Sequence, residues 1–598
     1  MSRKTFSEDE IYQEAIQIVD GERQNWEDAT VWITDKVGFK MRDLIRTCRK
    51  NYWGVFDEPN DPRTGREKTW IGVTMSTVED IVKNIDMDAK DVNFKARYPE
   101  GEHITEIVRG VAQEKMDKMM FGELLDADER VLGIDGTFVW KTWKEGKHLR
   151  RESVDLLNFY IDPQARSIQD ALRVTERSLS TPSAVAKMSG WNNTSGLKGS
   201  VALNANDGDT GAMMAQNKTV DELDVWETWG LIPEYLVTRS KKDTDMIEGH
   251  IVVSGLQAGN PTCHLIERNN KKDYNGKSVK PYEECRYATV QGRWYGVGPA
   301  ERLLALQEYL NTVVNIRINR SYVSQLGLFK IRKGQGITPA ILSKLPSNGA
   351  ISVNQMDDIE QFQIQGPDQT SYKDEEVIRS WAQRLTQAYD ITAGETMPAS
   401  ATATSSAITN ANAKTGFSMP KDAIGFFVER WMDKHALPIW SESVSIGDVV
   451  RISGDALDEV VERVVATKAT EILEEMRAQN LVPSKQAFED ANKQAADILK
   501  KKGSLFIKLL QEIIAKNVET RVYMTNEKLD VPVTVQNLLT LLQVAPEYRD
   551  DTVKEVFDLL GLRRPSTPQQ MPQEIGSAMK SPMESMQQIT TRASTMNA

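Results

Sequence analysis

The chain has 598 residues, a formal net charge of −12 at pH 7 and 40% hydrophobic side chains, a length that predicts two to four domains. The acidic balance argues against tight nucleic-acid binding over the whole surface, because such binding depends on Lys and Arg neutralising phosphates. Three scattered cysteines argue against a disulfide framework. Without an apolar leader or a run of eighteen apolar residues, the sequence predicts a protein that is neither secreted nor inserted in a membrane.

The N-terminal region is predicted to be a charged helical arm over residues 7–53. Its last part, 41–53, is a basic helix with aromatic side chains at its end. Such a helix binds nucleic acid or inserts its aromatic side chains into a neighbouring subunit, and the second interpretation is favoured. Further on, Ser76 and Glu79 have the spacing of a capping box that begins a short helix. A longer helix is expected over Glu102 to Leu125.

Strands are predicted to dominate the next part of the chain. Apolar and polar residues alternate over 129–163, around a turn at 144–146, which indicates an antiparallel sheet. Residues 195–220 are small and polar and are expected to form a mobile loop. The segments 223–232 and 234–239 are then predicted to be paired strands. A further strand-rich segment runs from His250 to Cys285.

A long amphipathic helix is predicted over residues 295–328. Gly296 and Gly298 end the preceding strand, and Pro299 suits a first helical turn because its missing N–H would have no partner there. An apolar stripe recurs at three- and four-residue spacing. It comprises Leu303, Leu306, Leu310, Val313 and Val314, while Arg302, Arg317 and Arg320 require solvent or an anion.

The period changes over residues 329–367, which are rich in Gly and Pro. Leu328–Ile331 and Ala350–Val353 are predicted strands, around a tight turn at 347–349. A second helix is expected over 368–390, with Trp381, Leu385 and Ala388 on its apolar face. The next segment, 391–404, consists of small residues that cannot anchor a core and is predicted to be a loop.

The remaining chain is predicted to be mostly helical. A helix within 405–454 is expected to kink at Pro420 and to be followed by one or two strands over 443–453. Residues 455–564 have an all-helical pattern. From Pro565 the sequence is rich in Pro, Gln, Ser and Met, which predicts disorder.

This order of elements resembles the portal (head-to-tail connector) proteins of tailed double-stranded DNA bacteriophages. Gly296, Gly298, Pro299 and Glu301 match the start of the family's first stem helix, and Leu345–Ile359 matches its clip strand with the turn. In the family's wing, a passage similar to 158–163 occurs. The resemblance covers about residues 30 to 450. It implies an α+β, mainly helical fold with wing, stem, clip and crown, assembling as a ring.

The resemblance assigns a role to each part of the chain. The parts are an N-terminal helical arm with an α/β wing (1–294), the first stem helix (295–328), the clip (329–367), the second stem helix (368–390), a tunnel loop (391–404), a kinked wing helix with closing strands (405–454), a helical crown (455–564) and a disordered tail (565–598). The tunnel-loop residues are Ile391, Gly394, Met397, Pro398, Ala399 and Thr404.

A portal protein forms a ring, dodecameric by family resemblance, at one capsid vertex of the virion. Double-stranded DNA is packaged and ejected through this ring, and the chain would be made in the host cytoplasm. The implied partners are terminase docking at the clip, the major capsid protein and a head-completion or tail-adaptor protein, with no membrane involved. Two alternatives stay open: a DNA-packaging ATPase or nuclease component, and a structural scaffold without a conduit.

Catalytic motifs are not found in the sequence. The segment 276–278 ends like a phosphate-binding loop, but such a loop requires glycine where Lys271 stands. A segment beginning at Asp86 resembles the start of a calcium loop, yet Lys90 occupies a ligand position. Cys263, His264 and Cys285 supply at most three zinc ligands, and no pairing pattern supports a fourth. We therefore expect no catalytic residue, no metal site and no cofactor, and a protein that is not an enzyme.

A basic segment stands out against the acidic chain. Between Glu301 and Lys344 there are seven basic and two acidic residues, a local net charge of +5. The basic residues are Arg302, Arg317, Arg320, Lys330, Arg332, Lys333 and Lys344. They contact DNA phosphates or an acidic partner docking at the clip, or else they form ion pairs between subunits of a ring. For the partner face we favour Lys330, Arg332 and Lys333, with Lys344 beside them.

Overall fold

The computed structural model describes residues 5–34, 37–62, 64–85, 87, 89–96, 102–146, 148–197, 222–240, 243–257, 259–273, 276–325, 328–331, 359–362, 370–388 and 417–445. It also describes residues 447, 449, 451, 461, 462, 464–466, 468, 469, 472, 473, 491–496, 508–510, 514 and 518–522. All of them belong to one unit, Met1–Tyr523. Helices and antiparallel sheets are both present, so the fold is α+β.

The helices are α1 (Glu8–Glu27), α2 (Met41–Trp53), α3 (Val73–Ile85), α4 (Glu102–Lys118), α5 (Phe121–Asp135), α6 (Pro182–Val185), α7 (Tyr235–Thr238), α8 (Pro299–Gln325), α9 (Thr370–Thr386), α10 (Ser418–Trp431) and α11 (Leu437–Ser443), the last two joined by a π-helical turn, Met432–Ala436. The strands are β1 (Thr30–Thr34), β2 (Val37–Lys40), β3 (Val92–Ala96), β4 (Thr137–Glu145), β5 (His148–Val154), β6 (Phe159–Ile161), β7 (Arg173–Ser180), β8 (Leu223–Pro233), β9 (Met246–Ser254), β10 (Thr262–Arg268), β11 (Tyr282–Arg286), β12 (Leu328–Ile331), β13 (Ile359–Phe362) and β14 (Val518–Val522). No helix in these ranges is long and apolar enough to cross a lipid bilayer.

Two antiparallel sheets pack against each other ahead of α8. One has five strands in the order β10-β9-β8-β7-β6, and the other has three in the order β11-β4-β5. Val139 of β4, Val174 of β7 and Trp229 of β8 are buried in one apolar cluster between them. Because side chains alternate along a strand, the apolar side chains on the opposite face of each sheet must be buried by another element.

Helices cover the two outer faces. Helix α1 buries Ile11, Ala15 and Val19 against the five-stranded sheet, where Trp226 of β8 meets them. On the three-stranded sheet, the ring of Trp140 lies edge-on to two rings of the α10 segment, with centroids 4.7 Å from Phe427 and 4.9 Å from Trp431. The wing-like part of the chain is therefore layered helix, sheet, sheet, helix.

The N-terminal arm differs from the helical prediction in its middle. A hairpin of β1 and β2 separates α1 from α2, with Val31 opposite Phe39. The run Thr-Val-Trp-Ile-Thr explains this difference, because β-branched and aromatic side chains favour strands. The basic helix over 41–53 is confirmed with the expected bounds. Its Arg49 is held inside the chain, 2.7 Å from Asp135 and 2.6 Å from Asp155.

The predicted capping box at Ser76 is wrong. Helix α3 begins three residues earlier, and the Ser76 hydroxyl donates to the Val73 carbonyl at 3.0 Å inside the helix. The carboxylate of Glu79 instead accepts hydrogen bonds from the Tyr52 hydroxyl at 2.5 Å and from Arg130 Nε at 2.9 Å. A local backbone carbonyl therefore uses the Ser76 hydroxyl, and residues distant in the sequence use the Glu79 carboxylate.

Two further predictions are wrong about the course of the backbone. The single helix expected over 102–125 is two helices, α4 and α5, because the chain turns at Met120 with a φ of +51°. Residues 234–239, expected to pair with β8, contain the short helix α7. The actual neighbours of β8 are β7 and β9.

The kink expected at Pro420 is also wrong. Pro420 lies in the first turn of α10, where proline is tolerated, and the irregularity comes later. The π-helical turn 432–436 precedes Pro438 of α11. Proline lacks an N–H and crowds the carbonyl four residues before it, and a widened turn accommodates both defects.

Two of the C-terminal predictions fail, although the described residues between 461 and 514 are helical as expected. Within the segment expected to give strands, residues 447, 449 and 451 are helical. The all-helical pattern after 455 is interrupted by β14, which pairs along its full length with β3. Its sequence, Val-Glu-Thr-Arg-Val, alternates in the manner of a half-buried strand, and Val518 and Thr520 are buried.

Three glycines join α8 to the sheets. Gly136, which follows α5, has a φ of +76°, and a Cβ placed there would lie 2.4 Å from the Gly296 carbonyl oxygen and 2.7 Å from the Gly298 nitrogen. The Gly136 carbonyl accepts from the Tyr287 N–H at 3.0 Å. Only residues without side chains allow the two backbones to approach this closely.

We expect Gly136→Ala to lower the free energy of unfolding by about 2 kcal/mol, because it adds a backbone clash to the strain of a positive φ. Gly146→Ala is the matched control. Gly146 has a φ of +62°, and no atom lies within 4 Å of the position that a Cβ would occupy there, so only the strain, about 1 kcal/mol, applies. Urea unfolding of both variants measures the difference, and equal losses would contradict a close approach at Gly136.

Candidate functional site

Helices α8 and α9 form an antiparallel pair that extends from the sheets. Arg317, late in α8, donates to Glu375 at 2.7 Å and to the Ser371 carbonyl at 3.4 Å, both early in α9. Leu303, Leu310, Val314, Ile378 and Ala382 form the buried contact between the two helices. After α8 the chain continues into β12, which pairs with β13 ahead of α9. The helix predicted over 295–328 is thus present as Pro299–Gln325.

A ladder of amide side chains fixes α8 to the segment 64–74. Gln307, Asn311, Asn315 and Asn319 recur every four residues on one face of the helix. Asn311 Oδ1 accepts from the Ile71 N–H at 3.1 Å, Asn315 Oδ1 accepts from the Thr69 N–H at 2.7 Å, and Asn315 Nδ2 returns a bond of 2.8 Å to the Thr69 carbonyl. Amides can replace a neighbouring strand because each one both donates and accepts.

The ladder continues at both ends. Gln307 Oε1 accepts from the Thr74 N–H at 2.9 Å, and Asn319 Nδ2 donates to Asp61 at 2.7 Å. These residues are missed by sequence reasoning that seeks only the apolar stripe of α8. Four amides at four-residue spacing on one face of the helix are the pattern that would have indicated them.

Helix α9 carries a stripe of exposed apolar side chains among charged residues. Trp381 and Leu385 of α9 are each 48% exposed, and Val377 continues the same stripe. The residues that face α8 are instead Ile378, Ala382 and Thr386. Of the three residues predicted to share an apolar face, Trp381 and Leu385 therefore point away from the partner helix, whereas Ala388 is buried. Exposed apolar side chains on α8 are Tyr309, Ile316 and Tyr322, and Tyr372 adds another on α9.

The α8 residues singled out in the sequence differ in how far they are buried. Leu310 is fully buried, and Leu306 packs half-buried beside it. Arg302 is exposed, with its guanidinium 5.8 Å from the centre of the Tyr287 ring. Arg317 is largely buried in its ion pair with Glu375, whereas Arg320 is exposed. Of the three arginines expected to need solvent or an anion, one is satisfied by the neighbouring helix.

Electrostatic contacts hold Arg317 firmly. Partial burial favours a higher pKa for Glu375, but hydrogen bonds from Arg317 and Arg379 outweigh the burial and hold the pKa of Glu375 below its ordinary value. The guanidinium of Arg317 also lies 4.3 Å from the centre of the Tyr372 ring. Arg317 therefore joins the two helices, and its charge is already compensated within the chain.

The predicted partner face is described only at Lys330. Its ammonium lies 3.5 Å from Glu360 on the paired strand, in an exposed ion pair. Arg332, Lys333 and Lys344 lie outside the described residues, as do the turn at 347–349 and the predicted strand 350–353. The strand 328–331 is confirmed, and its observed partner is 359–362. All six tunnel-loop residues, from Ile391 to Thr404, also lie outside the described part of the chain.

The cysteine and histidine side chains considered as zinc ligands are separated. Cys263 is buried in the cluster under α1, while the Cys285 thiol faces the Ala423 carbonyl of α10 at 3.7 Å. Burial raises the pKa of the Cys263 thiol to about 12. Across the described ranges, no three His, Cys, Asp or Glu side chains are grouped as metal ligands would be.

A serine–histidine contact in the five-stranded sheet resembles part of a catalytic dyad. Ser254 Oγ lies 2.6 Å from His264 Nε2, and His264 Nδ1 lies 2.8 Å from the Asn192 carbonyl oxygen. Both side chains are fully buried. Since a nucleophile must reach its substrate, this pair serves to fix the 192–193 segment on the sheet.

A scan against models of known protein families finds no match to this chain, and a search of curated proteins finds no significant relative.

Proposed function

We propose that this protein is a portal subunit, which assembles into a ring through which double-stranded DNA is packaged and ejected at one capsid vertex. The observation that carries the proposal is the helix pair α8/α9. It is rooted in the sheets by the three-glycine contact, it carries a strand pair between its helices, and α9 carries a stripe of exposed apolar side chains. This order is the one expected for stem helix, clip and second stem helix.

The exposed stripe of α9 supports assembly with further copies of the chain. Contiguous exposed apolar side chains mark an interaction surface, and Val377, Trp381 and Leu385 are spaced by one helical turn. In a closed ring each subunit offers two different faces to its neighbours, so a stripe on one helix can be covered by the next copy. The packing of α9 against α8 leaves this stripe available.

The charge distribution also suits a conduit. A channel must enclose DNA without holding it, because each neutralised phosphate adds binding that translocation must break. The chain is acidic overall, and the basic side chains Arg317 and Lys330 are already paired with glutamates. Terminase, the capsid protein and a tail adaptor are the partners proposed for such a ring.

We expect the purified chain to form rings with a central hole wide enough for a DNA duplex in negative-stain images. Replacing Trp381 and Leu385 together by glutamate should abolish the rings, because two charges would then lie in the subunit contact. Met188→Glu is the control, since Met188 is 49% exposed but lies far along the chain from α9. Light scattering coupled to gel filtration gives the mass of each species, and rings retained by the double variant would contradict the assignment of this face.

A further inference from the structure

A cationic cleft of about 320 Å³ lies away from the helix pair. Three parts of the chain line it: the end of β4, the loop after β10, and the segment from the π-helical turn into α11. Its volume is within the range of sites that hold small molecules. None of the residues considered for portal function contributes to it.

Two of the four lysines in the cleft are neutralised inside the chain. Lys144 forms an ion pair with Glu442 across the cleft, and Lys434 lies 3.1 Å from both oxygens of buried Glu283. The other two, Lys271 and Lys272, form no direct ion pair with a carboxylate of the described residues, although the Lys271 ammonium lies 5.1 Å from the centre of the Trp229 ring and also experiences the charges of Glu227 and Glu267. The cleft therefore presents two lysines that are outside any direct ion pair.

A buried histidine adds a polar group without a partner. His435 lines the cleft and is only 7% exposed, and its Nε2 has no hydrogen-bond partner among the described residues. The nearest carboxylate oxygen, on Glu283, is 3.7 Å away, which is too long for a hydrogen bond. A buried polar atom without a hydrogen bond at normal distance is able to take one from a bound molecule.

The rest of the lining is apolar and partly aromatic. Trp143 is half-buried at the end of β4, and Pro438 and Ile439 lie on the α11 side. Two ammonium groups that are not held in direct ion pairs suit the oxygens of a phosphate. A half-exposed indole beside them suits a planar base, because stacking on an aromatic side chain is a common way of holding nucleotides.

We propose that this cleft binds a nucleoside phosphate, with the phosphates at Lys271 and Lys272 and the base against Trp143. The same chemistry is offered by a free nucleotide and by the phosphorylated end of a DNA strand. The inference is independent of ring formation, because every residue of the cleft belongs to one chain. A nucleotide here would not imply hydrolysis.

The test is isothermal titration of the full-length chain with ATP in EDTA, with inorganic phosphate, and with a 5′-phosphorylated single-stranded oligonucleotide. We expect ATP to bind and the double variant Lys271→Ala/Lys272→Ala to weaken its binding at least tenfold. Lys277→Ala is the matched control, because Lys277 is exposed on the same loop but does not line the cleft. Its affinity for ATP should stay within twofold of the unmodified chain.

Two further arms make the outcome decisive. In the first, Trp143→Leu should weaken ATP binding while leaving inorganic phosphate binding unchanged. In the second, bound nucleotide should protect Lys271 and Lys272 from acetylation by an N-hydroxysuccinimide ester, as measured by mass spectrometry. Tighter binding of ATP supports a free nucleotide as the ligand, and tighter binding of the oligonucleotide supports a strand end. No ATP binding by the unmodified chain, equal binding by the double lysine variant, or equal affinity for phosphate and ATP would overturn the proposal.

Discussion

Replacing Lys141 by methionine will lower the free energy of unfolding by about 3–5 kcal/mol at pH 7. The Lys141 ammonium lies between the two sheets, 2.7 Å from Glu176 and 3.0 Å from Glu227, and all three side chains are largely buried. The Tyr282 hydroxyl donates to Glu176 at 2.7 Å. Removing the Lys141 cation leaves two carboxylates facing each other in a desolvated site, which costs far more than losing a surface ion pair.

Urea unfolding at pH 7 measures this loss. Lys144→Met is the matched control on the same strand, where the side chain is 44% exposed and paired with Glu442, and its cost should stay below about 1 kcal/mol. Adding Glu176→Gln and Glu227→Gln to Lys141→Met should restore much of the lost stability, because no buried charge then remains. Equal losses for Lys141→Met and Lys144→Met would contradict a buried charge cluster between the sheets.

The same site has a defined pH dependence. Burial raises the pKa of Glu227, but the neighbouring Lys141 and His250 outweigh it and hold the pKa well below its ordinary value. A carboxylate with a lowered pKa stabilises the fold above its ordinary pKa of 4.5, and that contribution is lost as the pH falls. The loss caused by Lys141→Met should therefore shrink as the pH is lowered below about 4.5.

The local periodicity of the sequence is sufficient for the long elements. It correctly identifies Pro299 as the start of α8 and gives the basic helix 41–53 its observed bounds. It also predicts the β4–β5 hairpin, although the turn comes later than the predicted 144–146, because Lys144 and Glu145 still pair with Leu149 and His148. In each of these segments the apolar pattern, the turn residues and the signals at the ends all indicate the same element, so the local sequence is enough to predict it. The coarse α+β class follows from the same patterns.

Long-range contacts explain what the sequence does not predict. Glu79 has the spacing of a capping residue but is used by Tyr52 and Arg130, which are distant in the sequence. Strand β14 depends on β3, more than four hundred residues earlier, so no local pattern could have paired them. The stripe of Trp381 and Leu385 is visible in the sequence, but which of two neighbouring stripes faces α8 is decided by packing with Leu303 and Leu310.

Adjacent glutamates on β11 face opposite sides of the strand and have opposite properties. Glu283 faces Arg430 and Lys434, whose charges and those of His435 outweigh its burial and hold its pKa at about 2. Glu284 points to the other side, where its Oε2 accepts a long bond, 3.3 Å, from the Ile168 N–H and its Oε1 lies 3.9 Å from the Arg286 guanidinium. Burial, and then the charge of Glu283, raise the pKa of Glu284 to about 7.

Glu284→Gln will raise the free energy of unfolding, relative to the unmodified chain, as the pH rises. The difference between the variant and the unmodified chain should be about 3 kcal/mol more favourable to the variant at pH 8 than at pH 4.5. A carboxyl group whose pKa rises on folding binds its proton more tightly in the folded state. Its contribution is therefore complete below the ordinary pKa of 4.5 and is lost as the pH rises through 7. Glutamine is neutral throughout and its carbonyl can still accept from Ile168, so the variant avoids this loss.

The measurement is urea unfolding of the unmodified chain and of Glu284→Gln at intervals from pH 4.5 to 8, with the difference between the two taken at each pH. Contributions from His435 and other groups that titrate in this range largely cancel in that difference. Glu283→Gln is the opposing control, because it leaves Arg430 and Lys434 without their buried carboxylate and should destabilise the fold at pH 7. Parallel pH profiles for the unmodified chain and Glu284→Gln would show that Glu284 is charged in the folded protein at every pH tested.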